Sequence, residues 1–277
     1  MKRLLAKISL FILILVIIIS CNAVKRVEND ELLLTENTIH LNGEKIKDAR
    51  IYNQLYQEPN AKLLGVPIRL HFYNLAKPNP DSVFINWLTK KPNRIKRLNS
   101  IYSQKQVQRM EESYVGINEW IKKTGEAPVL INKELAKKST NRLKAWYYNN
   151  GWFNAETDFT INPTKNKRGE IDYFITSHKP YIVDSIKQRM QSKVIDSIYQ
   201  LHKEESKIVS GVQYKTLDFN AERDRLNTVF RNNGVYYFDQ EYLSFEADTV
   251  DTDHKVNATI IVKDRLVQRG DTTSRVP

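Results

Sequence analysis

The chain holds one thiol, Cys21, and five histidines: His40, His71, His178, His202 and His254. A single thiol forms no disulfide within its own chain, so its chemistry is nucleophilic attack or modification. The histidines are far apart and show no H-E-x-x-H spacing, which helical metal sites use because positions i and i+4 share a face. No Gly-x-Ser-x-Gly elbow and no phosphate loop occurs. Carboxylates are scattered among lysines, as in solvated ion pairs. The expectation is a chain that is not an enzyme and binds no metal. His71 alternates with the apolar positions Val66, Ile68, Leu70 and Phe72, so an exposed imidazole is expected there.

The surroundings of Cys21 give its thiol a chemistry. Lys2, Arg3 and Lys7 precede an apolar run from Ile8 to Ile19, and Ser20-Cys21 closes it. A basic flank, an apolar stretch and a small residue make a secretory signal, here residues 1–20. Ile18-Ile19-Ser20-Cys21 resembles the bacterial lipobox, with Ile18 where leucine is usual. The resemblance implies cleavage before Cys21 and a diacylglycerol on its sulfur, and no cofactor beyond that lipid. The alternative is an uncleaved anchor. The uncharged stretch from Ile8 to Val24 is at the lower limit of about 17–25 residues that spans a bilayer. Either reading implies membrane lipid as a partner and a periplasmic address. Asn22, where aspartate would direct inner-membrane retention, leaves the outer membrane open.

Net charge is +11, of which Lys2, Arg3 and Lys7 supply three. A basic mature surface favours anionic partners, such as lipid headgroups, cell-wall polymer or acidic proteins. The periplasmic address excludes nucleic acid. The densest cluster, Lys90–Arg97, reads as a solvated linker.

An internal repeat organises the rest. Arg142-Leu-Lys-Ala-Trp-Tyr-Tyr-Asn-Asn-Gly-Trp-Phe153 matches Arg225-Leu-Asn-Thr-Val-Phe-Arg-Asn-Asn-Gly-Val-Tyr236, 83 residues later. Leu135, Leu143, Trp146 and Tyr147 share one helical face. Asn149-Asn150-Gly151 ends that helix, because Gly151 tolerates the left-handed conformation. Phe159 and Ile161 alternate on one strand, and Ile171, Tyr173 and Ile175 on the next, around a turn at 166–169. The second unit starts with a strand from Tyr181. Helical stripes follow at Val194, Ile198 and Leu201, then at Leu226, Val229 and Phe230, closed by Gly234. Leu243 and Phe245, then Val256, Ala258 and Ile260, form its last two strands. The order is β-α-α-β-β, an α+β layer arrangement.

Earlier in the chain, Thr38–Gly43 reads as a strand and turn, and Ala49–Tyr56 as a short helix. Pro67 limits residues 66–72 to an edge strand or irregular chain. A helix over 100–124 carries Val107, Met110, Tyr114, Ile117 and Ile121 as its stripe. The expected division is a linker at 21–34, a unit at 35–99, units at 100–180 and 181–265, and a tail at 266–277.

A helix ending in Asn-Gly-aromatic, then two strands, repeated behind an export signal, resembles the POTRA domains. These are the periplasmic modules of outer-membrane β-barrel assembly and translocation proteins, BamA and TamA among them. Glu58-Pro-Asn-Ala-Lys-Leu-Leu-Gly-Val-Pro-Ile-Arg-Leu-His-Phe-Tyr-Asn74 resembles the first periplasmic segment of a lipoprotein branch of TamA-like proteins. The resemblance implies tandem POTRA-like domains that scaffold without chemistry. It implies as partners an outer-membrane β-barrel or its assembly machinery, and unfolded outer-membrane clients. Family members continue into a barrel, whereas only residues 265–277 follow Asp264 here; a periplasmic fragment or a truncated paralogue is expected. Clients would add to strand edges among Phe159, Ile161, Tyr173, Leu243, Phe245 and Val256. The alternatives are domains that act as spacers, or a lipoprotein that binds an anionic envelope polymer through its basic surface.

Overall fold

The structure is a computed structural model that describes residues 23–269 and 272–276. Cys21 and the lipobox residues Ile18, Ile19 and Ser20 lie outside the described residues. Among the described residues, no helix is long and apolar enough to cross a membrane.

The fold is α+β. Strands β1 (Leu33–Leu41) and β2 (Glu44–Ile46) come first. Helices α1 (Ala49–Tyr52), α2 (Ile68–Leu75), α3 (Pro80–Thr89), α4 (Pro92–Ile101), α5 (Gln104–Thr124) and α6 (Lys133–Asn149) follow. Then come β3 (Glu156–Thr164), β4 (Arg168–Thr176), β5 (Ile182–Met190), α7 (Lys193–His202), α8 (Thr216–Asn232), β6 (Leu243–Asp248) and β7 (Lys255–Val262). The last two strands are β8 (Arg265–Arg269) and β9 (Thr272–Val276), an antiparallel pair where a tail is expected.

The strands form sheets of order β2-β1-β4-β3 and β5-β7-β6, beside the β8-β9 pair. Both larger sheets place the first long strand next to the last and the middle one outside. The second sheet shows why. Helices α7 and α8 carry the chain back, so β5 pairs parallel with β7. The β6-β7 connection makes an antiparallel pair, which leaves β6 outermost. The first sheet unites strands from the expected 35–99 and 100–180 segments.

Two compact units emerge. Of the described residues, one comprises 23–39, Leu55–Ser139 and Phe159–Tyr173; the other comprises His40–Gln54, Thr140–Asp158, 174–269 and 272–276. In the second, Ile195, Ile198 and Tyr199 of α7 and Leu226 and Phe230 of α8 pack on Leu243, Ile260 and Val262. Each such side chain contributes about 1.5–3 kcal/mol on burial. Of the stripe expected on α7, Ile198 is buried, whereas Val194 and Leu201 are exposed and Ile195 and Tyr199 take their places in the core.

In the first unit, Ala23, Val27, Leu33 and Leu70 form a small core, so residues 23–33 pack where a linker is expected. The Asn74 amide donates to the Ala23 carbonyl and Lys25 Nζ to the Asn74 carbonyl. Residues 68–75 form helix α2 instead of an edge strand. Pro67 is tolerated at its start, where no intrahelical N–H bond is needed. Helical spacing turns His71 inward beside Leu70, and its imidazole is buried, not exposed. That burial, with Arg168 nearby, holds its pKa below the usual histidine value. Lys90–Arg97 also departs from expectation. It spans the two-residue junction after α3 and the first six residues of α4, solvated but mostly helical.

Candidate functional site

The second sheet has two outer strands with different surroundings. The outer side of β5 is met by the chain at 211–214. Val183 N–H donates to the Val212 carbonyl (2.9 Å), Gly211 N–H to the Val183 carbonyl (2.7 Å) and Tyr214 N–H to the Tyr181 carbonyl (2.9 Å). Strand β6 presents a different edge. Lys263 N–H donates to the Tyr242 carbonyl (2.9 Å), which sets the phase of the β6-β7 ladder. Bonded pairs alternate in an antiparallel ladder, so Ser244 and Glu246 bond to β7. The backbone groups of Leu243, Phe245 and Ala247 therefore point away from β7.

The side chains of β6 alternate as well. Leu243 is buried and Phe245 half-buried, whereas Ser244, Glu246, Ala247 and Asp248 are exposed. Phe245 meets Phe219 edge-on at 5.3 Å, and the Arg223 guanidinium lies over the Phe245 ring at 5.3 Å. Glu246 lies 3.6 Å from Arg189, an exposed pair worth little. An outer strand anchored by Leu243 and Phe245, with its other side chains exposed, can receive an extended backbone.

Not every residue expected at an edge lies on one. Leu243 and Phe245 are on outer strand β6, and Phe159 and Ile161 on outer strand β3. Tyr173 is on β4 and Val256 on β7, both between two neighbours and fully buried. Alternation reveals that a segment is a strand but not its place in the sheet, so these two are corrected to core positions. Strand β3 carries Pro163 near its end, which removes one donor from that edge. Ala247 was not singled out by its sequence; only the ladder phase identifies its outward N–H.

The two Asn-Asn-Gly turns close their helices identically. Trp152 N–H donates to the Tyr147 carbonyl and Val235 N–H to the Phe230 carbonyl, both at 3.0 Å. Asn150 Nδ2 donates to the Trp146 carbonyl and Asn233 Nδ2 to the Val229 carbonyl. Gly151 and Gly234 have φ of +92° and +97°, the left-handed region. After the turns the aromatics diverge. Phe153 packs among Tyr148, Tyr181 and Tyr214, whereas Tyr236 and Tyr237 are exposed.

Helix α8 carries a buried ion pair. Glu222 is fully buried and accepts from Arg225 Nε (2.9 Å), Arg225 Nη2 (2.7 Å) and the Lys207 N–H (2.8 Å). Arg225 Nη1 reaches the His202 carbonyl at 3.1 Å. Every group is paired, so the cluster fastens α8 to the chain after α7 and has no chemistry left to offer. His202 Nδ1 is 2.9 Å from Glu205, and that contact holds the Glu205 carboxyl below its ordinary pKa. No group of three metal-ligating side chains occurs among the described residues.

No protein-family model matches the chain, and no curated protein matches it in sequence. Solved structures show some likeness. BamA from Haemophilus ducreyi lacking POTRA domains 1–3 is 17% identical with a TM-score of 0.34, over 51% of this chain and 25% of that one. This chain thus spans a quarter of that structure's length. Haemophilus influenzae BamA POTRA3–5 is 11% identical with a TM-score of 0.32, over 86% and 100%. POTRA1–2 of Omp85 from Anabaena is 8% identical with a TM-score of 0.33, over 85% and 98%. Overlaps at these scores carry no weight for function.

Proposed function

We propose that the chain is a periplasmic scaffold in outer-membrane β-barrel protein assembly or translocation, whose strand β6 receives extended clients by β-augmentation. The observation that carries this reading is the β6 edge, with the Phe245 and Ala247 backbone groups aimed outward beside exposed side chains. Backbone hydrogen bonds supply affinity with little demand on client sequence, as a chaperone-like scaffold needs. The POTRA-like sequence motifs and the matching strand orders of the two larger sheets support it. A lipid on Cys21 would hold the scaffold at the outer membrane. The Cys21→Ser chain is then expected to incorporate no labelled fatty acid.

The test uses the full chain and fluorescent peptides from an outer-membrane strand. Ala247→Pro removes one outward N–H while leaving the β7 ladder intact. Binding is expected to weaken about tenfold, one hydrogen bond plus a steric clash, with weak dependence on salt. Unchanged binding in Ala247→Pro, or no binding by the parent chain at any salt, overturns the reading. Circular dichroism of the variant checks that the fold is kept.

A further inference from the structure

The helices α3 and α4 expose what a globular domain ordinarily buries. Helix α4 has no buried residue at all. Its Ile95, Leu98 and Ile101 fall at helical spacings of three, on one side. Ile95 and Ile101 are nonetheless exposed, Ile101 by 74%. On α3, Ile85 and Trp87 are exposed by nearly half. Between α3 and α5 lies an apolar groove of about 280 Å³ lined by Val83, Phe84, Trp87 and Tyr114.

The charge of the same stretch has one sign. No Asp or Glu occurs between Asp81 and Glu111, while Lys90, Lys91, Arg94, Lys96 and Arg97 all do. Arg94 lies over the Trp87 ring at 4.6 Å and donates to the Trp87 carbonyl. The other four cations are exposed. An amphipathic helix with unburied apolar residues, a neighbouring tryptophan and only positive charge has the composition of an element lying in a membrane interface. A polyanion in water would satisfy the cations but leave Ile85, Trp87, Ile95 and Ile101 wet. An acidic protein would match the charge but would have to supply an apolar patch of its own, which a bilayer interface provides everywhere. The sequence adds a second argument: Cys21, read as the lipidated residue, lies just before Ala23, which is packed against Leu70 in this same unit.

We infer that α3 and α4, residues 80–101, form a membrane-binding surface that docks on anionic phospholipid headgroups and inserts Trp87, Ile95 and Ile101 to the depth of the glycerol region. This surface is separate from β6 and does not depend on the strand-docking reading. It would fix the unit against the bilayer, whereas a lipid on Cys21 would merely tether it.

Hydrogen–deuterium exchange on the full chain tests this. The chain is reconstituted into vesicles of phosphatidylcholine alone and of phosphatidylcholine with phosphatidylglycerol; the apolar run 8–19 is common to both. Amides of residues 83–101 are expected to exchange about tenfold more slowly on the anionic vesicles, and those of α7 and α8 equally on both. Lys90→Gln/Lys91→Gln, two exposed positions, should abolish most of that protection, because each cation near an anionic surface contributes about fivefold. Equal exchange on the two vesicles, or full protection in the double variant, overturns the inference. So does the same protection on neutral vesicles with soluble dextran sulfate added, which would make the surface a polyanion reader.

Discussion

The two Asn-Asn-Gly helix ends carry the same motif and the same closing hydrogen bonds, yet they stand in different surroundings. At the first, a Cβ added to Gly151 would lie 2.7 Å from the Tyr214 carbonyl oxygen and 3.3 Å from that of Tyr181. At the second, a Cβ on Gly234 would meet nothing within 4 Å. The arginines that open the two motifs differ likewise. Arg225 binds fully buried Glu222, whereas Arg142 is exposed and binds the Gln54 side chain at 3.1 Å. Tyr147 in the first copy is Phe230 in the second, and both are buried. A repeat thus conserves how a helix stops while its neighbours decide what each residue is worth.

The arginines offer the widest separation. Arg225→Leu leaves the Glu222 carboxylate buried without its partner and should cost about 3–5 kcal/mol in urea unfolding. Arg142→Leu should cost under about 1 kcal/mol, as for other exposed polar contacts. Similar losses in both would mean that the Glu222 cluster is hydrated in solution.

The glycines come next. Gly151→Ala combines left-handed strain of about 1–2 kcal/mol with overpacking of about 1–3 kcal/mol against backbone. Gly234→Ala should show only the strain term. Equal unfolding midpoints for the two variants would show that the Tyr214 backbone yields to the added methyl. Asn150→Ala and Asn233→Ala each remove one side-chain bond to a helix-terminal carbonyl, and each should cost about 0.5–1.5 kcal/mol. Here the copies are expected to agree.

The smallest effect concerns pH. Burial pushes the Tyr147 phenol up to about 12, and among the described residues its hydroxyl has no hydrogen-bond partner. The folded chain therefore holds this proton more tightly than the unfolded chain, whose tyrosines titrate near 10. Its contribution is fully present below pH 10 and is lost as pH rises from about 10 to about 12. Tyr147→Phe, which copies the second repeat, should make the alkaline fall in stability shallower. An unchanged slope would mean that the phenol is solvated in the folded state.

Much of the local structure was legible. The alternation of Ile171, Tyr173 and Ile175 announced a strand, and all three are buried. Helix α5 was visible from its stripe, but Met110 and Ile117 are exposed, and Asn118 is its buried residue. Asn118 accepts from the Lys77 N–H, a contact 41 residues away that no periodicity encodes. The apolar alternation at 66–72 was misleading for a related reason. A short stretch with both periods is decided by its packing partners, here Ala23, Val27 and Leu33.

By itself, then, the sequence determined where the two repeat helices stop, the strands that follow them, the repeat at 83 residues and the one-signed charge of 82–110. These depend on backbone preferences and on periodicity within a few residues. The tertiary structure alone decided that β6 and β3 are outer strands, that Tyr173 and Val256 are inner ones, and that Glu222 is buried. Strand order and burial arise from contacts between residues tens of positions apart, whose energies no local pattern contains.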